Sequence, residues 1–194
     1  MKKILIEVFS HNMLENLCKI NGLNDNNVED TDIAFIDIIG TEECLKHYLE
    51  EDTTHCFSKP HSNVLNLEFD DLPNNDVLFG EHLFSTMRIG QAEIAIDFIE
   101  HNILESDIKT FRIACRAGFS RSRAFAEFIF RYCAENGIEV EYSEREDYIQ
   151  FYNPHVLNLL NNAYWKKNKI NGYENGEDYP NEFIDIRVFE TNDN

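Results

Sequence analysis

The chain has 194 residues, of which 43% are hydrophobic, and this is enough for one domain with a buried core. Its 36 acidic residues against 17 basic ones give a formal charge of −19 at neutral pH. A protein that follows a nucleic-acid backbone or an anionic membrane surface needs a basic face, so the charge balance argues against both kinds of partner.

The cysteines and the apolar segments bear on the compartment. The cysteines are odd in number and have no CxxC spacing, which argues against a disulfide framework or a zinc site; they are Cys18, Cys44, Cys56, Cys115 and Cys133. The apolar N-terminus is interrupted by Glu7 and is too short for a signal peptide, and no segment approaches the length of a membrane span. We therefore expect a cytoplasmic protein with reduced thiols.

Strand-like and helix-like patterns alternate along the chain. Strands are predicted at residues 4–9, 33–39, 64–69, 110–115 and 137–142, and helices at 11–20, 41–49, 84–103, 123–133 and 154–165. This alternation predicts an α/β fold, a single domain with a central, mainly parallel β-sheet flanked by helices. The domain is expected to span 1–170. Residues 171–194 form an acidic extension, in which 183–189 alternates and predicts an edge strand or a contact with a partner.

The most specific pattern is the segment from Cys115 to Ser122, with the residues Cys-Arg-Ala-Gly-Phe-Ser-Arg-Ser, between a predicted strand and a predicted helix. The free N–H groups and the dipole at a helix N-terminus favour an anion and lower the pKa of a nearby thiol. Gly118 permits the backbone angles that let several N–H groups converge. The pattern predicts a phosphate-binding loop after a central strand of the sheet.

Three side chains of this loop suit the transfer of a phosphoryl group. Cys115 is the candidate nucleophile, and the planar fork of Arg121 can hold two phosphate oxygens side by side. Ser122 can donate a hydrogen bond to the Cys115 sulfur and help it leave. The loop residues expected to surround the substrate are Arg116, Ala117, Gly118, Phe119 and Ser120.

A general acid is needed to protonate a poor leaving group such as an alkoxide. The turn-rich loop after the predicted strand at 64–69 offers Asp70, Asp71 and Asp76. Two adjacent carboxylates disfavour each other's charge, which suits a proton donor. A solvated acidic turn is the alternative, and the residues alone leave the choice among the three aspartates open.

The segment 115–122 resembles the loop of cysteine, five residues and arginine in the cysteine-dependent protein tyrosine phosphatases. Its Ala-Gly-x-Ser-Arg-Ser sequence is most similar to that of the dual-specificity phosphatases and their small microbial and phage relatives. Residues 63–71 and, more loosely, 152–156 extend the resemblance, which covers roughly residues 30 to 165. It implies a cysteinyl-phosphate intermediate on Cys115, phosphoryl binding by Arg121, and Asp71 as the acid with Asp70 beside it. No metal or cofactor is expected, because the loop supplies the charge stabilisation that Mg²⁺ supplies elsewhere.

The chain departs from this family directly before the cysteine. The family usually has histidine there, which shapes the loop and stabilises the thiolate, whereas this chain has Ala114. Two functions are predicted. The first is hydrolysis of a phosphomonoester, on a phosphorylated protein or on a small phosphoester such as a nucleotide or inositol phosphate. The second is a phosphatase-like module that binds a phosphorylated protein or nucleotide without hydrolysing it.

Overall fold

The computed structural model describes residues 2–42, 54–79, 82–142 and 151–168 of the chain. In chain order the elements are β1 (Lys3–Ser10), α1 (His11–Ile20), a 3₁₀ turn (Val28–Asp30), β2 (Ile33–Ile39), β3 (Val64–Glu68), β4 (Val77–Phe79), β5 (His82–Phe84), α2 (Ile89–Leu104), β6 (Thr110–Cys115), α3 (Arg121–Glu135), β7 (Glu139–Tyr142) and α4 (Pro154–Asn168). The predicted α/β fold is confirmed.

Five strands form one parallel sheet in the order β3-β2-β6-β1-β7. Strand β6 occupies the middle, with β1 on one side and β2 on the other. Its last residue, Cys115, lies opposite Ser10 of β1 and Ile38 of β2. The central position expected for the strand before the loop is therefore confirmed, and the loop leaves the carboxyl edge of the sheet, where open α/β sheets place ligands.

The two faces of the sheet are covered by different helices. One face, which carries Ile36, Ile113 and Cys115, packs against α2, α3 and α4 in the larger apolar cluster. The other face carries Phe35 and Ala114 and packs against α1 in a smaller cluster. Because side chains alternate along a strand, neighbouring residues such as Ala114 and Cys115 belong to opposite faces.

The prediction of helix over 84–103 is wrong at its start. Strands β4 and β5 pair antiparallel, and α2 begins only at Ile89. Arg88 caps the helix, since its backbone N–H donates to Oε1 of Gln91 over 2.8 Å. The missed signal was Gly80 between two short apolar runs.

Two further predictions, the helix at 41–49 beyond its first two residues and the strand at 183–189, lie outside the described residues. No helix within the described ranges has both the length and the apolar character that a membrane crossing requires.

Candidate active site

The candidate nucleophile lies at the base of the loop. Cys115 is 2% exposed, and its Sγ lies 3.1 Å from Oγ of Ser122. Burial raises the pKa of the Cys115 thiol, but hydrogen bonds from the Ser122 hydroxyl and from the backbone N–H groups of Ser122 and Phe119, with the charge of Arg121, outweigh it. The pKa therefore lies below the ordinary value of a thiol, and the reactive thiolate is favoured.

Gly118 sets the path of the loop. Its φ is +72°, a region that side chains rarely adopt, and its N–H donates to the Cys115 carbonyl over 3.2 Å. A Cβ at this position would lie 2.7 Å from the carbonyl carbon of Phe9 and 2.7 Å from the backbone nitrogen of Ser10. The loop thus folds back against the junction of β1 and α1, and only glycine fits there.

Arg121, the first residue of α3, is held in place by two backbone carbonyls. The residue is 5% exposed, and Nη1 donates to the carbonyls of Ile39, over 3.0 Å, and Phe69. The guanidinium also lies 5.8 Å from the centre of the Phe69 ring. Its Nε is buried and has no hydrogen-bond partner in the part of the chain that the structure describes. A buried donor without a partner is costly, so an acceptor for this N–H would be stabilising. An oxyanion bound in the loop is such an acceptor.

The other residues of the loop and the neighbouring Arg123 differ in exposure. Arg116, Ala117 and Phe119 are exposed. Arg123 is buried, with its Nε 3.3 Å from the Gly118 carbonyl and its guanidinium 4.8 Å from the centre of the Phe119 ring. Arg123 therefore stabilises the backbone of the loop through its hydrogen bond to the Gly118 carbonyl.

Asp71 lies against the loop formed by residues 115–122. Oγ of Ser120 donates to Oδ1 of Asp71 over 2.7 Å, and Nδ2 of Asn153 donates to the same oxygen over 2.8 Å. The N–H of Asn153 also donates to the Ser120 carbonyl over 3.1 Å. Both side-chain bonds reach Oδ1, and among the described residues no hydrogen bond occupies Oδ2, the oxygen that would carry a proton. The structure thus brings an aspartate from the loop after β3 to the nucleophile loop.

Asp70 has a different environment, although it is adjacent. It is 4% exposed; Oδ1 accepts from the N–H of Thr41 over 3.0 Å, and Oδ2 accepts from the Thr41 hydroxyl over 2.9 Å and from the N–H of Ser85 over 2.8 Å. The carboxylate therefore ties the loop to two neighbouring segments. The placement of Asp70 among the substrate-binding residues stays a prediction, and the structure shows both of its carboxylate oxygens occupied by hydrogen bonds from Thr41 and Ser85.

Asp76 is also engaged elsewhere. Its Oδ1 accepts from the N–H of Thr86 over 2.9 Å, and its Oδ2 pairs with the guanidinium of Arg88. The Thr86 N–H and the Arg88 charge hold the pKa of Asp76 below its ordinary value. An aspartate that stays ionised is a poor proton donor, so Asp71 is the best candidate of the three.

The position before the nucleophile is apolar. Ala114 is fully buried on the face opposite Cys115, in contact with a cluster that includes Leu14 and Phe35. In the sheet it lies between Phe9 of β1 and Asp37 of β2. The side chain at this position therefore gives the loop no hydrogen bond.

Asn153 is the residue of the site that sequence reasoning missed. Its Oδ1 accepts from the N–H of Val156 over 3.1 Å in the first turn of α4, while its Nδ2 reaches Asp71 and the Leu72 carbonyl. An asparagine directly before Pro154 is a helix N-cap signal. Nothing in that signal shows that its amide would contact a loop 82 residues earlier.

No protein-family model, curated protein or solved structure matches this chain.

Proposed function

We propose that this protein is a cysteine-dependent phosphomonoester hydrolase. One observation carries the proposal: the hydrogen-bonded thiol of Cys115 lies at the base of the loop, and Arg121, at the other end of the loop, has a buried Nε with no hydrogen-bond partner among the described residues. A phosphoryl group is a ligand that needs a nucleophile below it and N–H donors around its equatorial oxygens. The helix dipole of α3 favours the same charge.

The first half of the reaction transfers the phosphoryl group to sulfur. The thiolate of Cys115 attacks phosphorus, and the ester P–O bond breaks on the opposite side. Arg121 and the N–H groups of the loop hold the three equatorial oxygens. Asp71, protonated at Oδ2, gives its proton to the leaving oxygen.

The second half releases phosphate. The carboxylate of Asp71 takes a proton from a water molecule, which attacks the phosphorus of the cysteinyl-phosphate. The S–P bond breaks, and the Ser122 hydroxyl, 3.1 Å from the sulfur, stabilises the departing thiolate. Proton, thiolate and loop return to their initial states.

The charge of the chain limits the substrate. A net charge of −19 surrounds the few cations of the loop, which disfavours long polyanions such as nucleic-acid backbones. We propose a phosphorylated protein or a small phosphoester as the substrate, and a cytoplasmic setting that keeps Cys115 reduced.

The test is hydrolysis of an aryl phosphate by the wild-type chain and by Cys115→Ser, between mildly acidic and neutral pH. Cys133→Ser is the matched control, because Cys133 is also buried but lies in the apolar core, where burial raises its pKa to about 11. We expect turnover that vanishes only in Cys115→Ser and that vanadate inhibits. Equal turnover in both variants contradicts the proposal.

Ala114 favours a second candidate, a module that binds a phosphorylated protein or nucleotide without hydrolysing it. The buried alanine removes the histidine that helps to tune the thiolate in the family that the loop resembles. This candidate predicts that wild type and Cys115→Ser bind vanadate or phosphate with similar affinity while neither releases phosphate in a single-turnover assay.

A further inference from the structure

A second polar cluster lies on the opposite face of the sheet from the thiol of Cys115. Asp37, in the interior of β2, is completely buried next to Ala114. Nδ1 of His11 lies 3.0 Å from its Oδ1, and the N–H of Cys56 donates to its Oδ2 over 2.9 Å. A carboxylate in an apolar interior is costly unless a positive charge compensates it.

The donor atoms of this cluster converge. A ring nitrogen of His11, a carboxylate oxygen of Asp37 and Sγ of Cys56 all lie within 4.8 Å of one another. The thiol of Cys18, in α1, is buried in the small apolar cluster against which Cys56 packs. The proposed hydrolase reaction uses none of these groups.

We propose that His11, Asp37 and Cys56 form a binding site for a divalent transition metal, and that zinc is the ion that fits best. Thiolate, imidazole and carboxylate together suit zinc, whereas Mg²⁺ and Ca²⁺ select oxygen donors. Tetrahedral ligand atoms around zinc lie about 3.3–3.8 Å apart, so a closure of about 1 Å completes the site. Cys18, whose thiol is buried in the same cluster, is the candidate for the fourth position.

Metal binding here is a competition with protons. The ion displaces the thiol proton of Cys56 and the proton that His11 holds at Nδ1, and both pass to solvent. Affinity for the metal therefore increases with pH.

A further partner would fix the carboxylate. Nδ1 of His55 lies 3.4 Å from Oδ2 of Asp37, on the side away from His11. Hydrogen bonds of this kind orient ligating carboxylates in metal sites. His55 and the N–H of Cys56 leave Oδ1 of Asp37 as the oxygen for the ion.

The test uses the full-length protein, purified under reducing conditions and titrated with Co²⁺ as a spectroscopic substitute for zinc. We expect about one equivalent of tightly bound metal and a thiolate-to-cobalt charge-transfer band, with zinc displacing the cobalt. His11→Gln and Cys56→Ser should each weaken binding by more than ~100-fold. His101→Gln, which removes an exposed histidine paired with Glu105, is the matched control and should change nothing.

Cys56→Ser keeps the size of a half-buried side chain, so circular dichroism can establish that the variant is folded before its metal affinity is compared. Absence of the charge-transfer band, or equal cobalt affinity in wild type and Cys56→Ser, overturns the proposal. So does a Cys18–Cys56 disulfide that persists in reductant, because no thiolate would then be available. Undiminished affinity in Cys18→Ser overturns the assignment of the fourth ligand.

Discussion

Ser120 Oγ lies 2.7 Å from Oδ1 of Asp71 and donates a hydrogen bond to it, so a residue of the loop 115–122 contacts the candidate acid directly. Ser120 precedes α3 and could cap it, yet its side chain makes no capping bond and turns to the aspartate instead. Asn153 contacts both partners and holds them together. This arrangement ties the position of the acid to the position of the nucleophile loop.

The first prediction concerns the acid. Asp71→Asn should lower kcat on an alkyl phosphomonoester by about 10²–10⁴-fold, because an amide cannot protonate the leaving oxygen. The loss on an aryl phosphate with a good leaving group should be smaller. Steady-state kinetics on the two substrates measure the difference. Asp76→Asn is the matched control in the same loop, and an equal loss in that variant would contradict the assignment of Asp71.

The second prediction concerns the guanidinium. Arg121→Lys keeps the positive charge but loses the Nε that has no partner among the described residues and the fork that two carbonyls hold in place. We expect kcat to fall by about 10²–10³-fold and vanadate inhibition to weaken in parallel. Arg131→Lys, on the exposed side of the same helix, should change neither quantity. Full vanadate affinity in Arg121→Lys would exclude it as the oxyanion ligand.

The third prediction concerns the thiolate. Because the pKa of Cys115 lies below its ordinary value, its alkylation rate should reach a plateau at a lower pH than that of a free cysteine. Ser122→Ala removes a hydrogen bond that lowers this pKa, so the plateau should move to higher pH and the rate near pH 6 should fall. Mass spectrometry of iodoacetamide-treated protein measures both effects. An unchanged profile in Ser122→Ala would show that the hydroxyl does not stabilise the thiolate.

The fourth prediction concerns the glycine of the loop. Gly118→Ala should lower the free energy of unfolding by about 1–3 kcal/mol and abolish vanadate binding, because its Cβ would collide with the backbone of Phe9 and Ser10. Gly22→Ala is the matched control, since Gly22 has a similar φ of +66° but open space around its Cβ. Urea unfolding of both variants separates collision from backbone strain. Equal destabilisation in the two would mean that the collision contributes nothing.

The fifth prediction concerns pH and the pair of His11 and Asp37. The Asp37 hydrogen bond raises the folded-state pKa of His11 above 6.5, so its stabilisation is complete below that pH and is lost as pH rises through the folded value. The pKa of Asp37 is lowered, against the effect of burial, by His11 and His55, so its stabilisation is lost only as pH falls through that lowered value.

With EDTA present, the free energy of unfolding should therefore decline as pH rises from about 6.5 through the raised pKa of His11, by about 1.4 kcal/mol for each unit by which folding raises that pKa. His11→Gln should flatten this part of the curve. Zinc should reverse the trend in the wild type, because the metal competes with protons. Urea titrations at several pH values measure all three curves, and a slope that His11→Gln leaves unchanged would contradict the prediction.

Much of the fold could be predicted because its local patterns and its packing agree. Strand β2 is apolar except for Asp37 and has both faces buried, and the pattern that ends at Asn136 and Gly137 identified the end of α3. The hairpin before α2 was missed because two three-residue strands are too short to show a period. The loop after Cys115 could be predicted between a strand and a helix because the residues that form it are adjacent in the sequence.

The partners of the loop could not be predicted because they depend on long-range packing. The adjacent residues Asp70 and Asp71 looked equivalent in sequence, and only the positions of Thr41 and Ser120 distinguish them. The cysteine spacing argued against a zinc site, but spacing reports only ligands that are close in the chain. His11, Asp37 and Cys56 lie on separate segments, and the sheet brings them together.

The contact between Gly118 and the β1–α1 junction has a consequence for the order in which the molecule assembles. The loop cannot take its shape until β1 pairs with β6, about a hundred residues later in the chain. The position of Asp71 also depends on Asn153, which lies directly before α4. Contacts between such distant residues form slowly. A growing or truncated chain would therefore carry Cys115 without a formed loop, so the thiol would be open to small oxidants and alkylating agents before the proposed phosphoester substrate could bind.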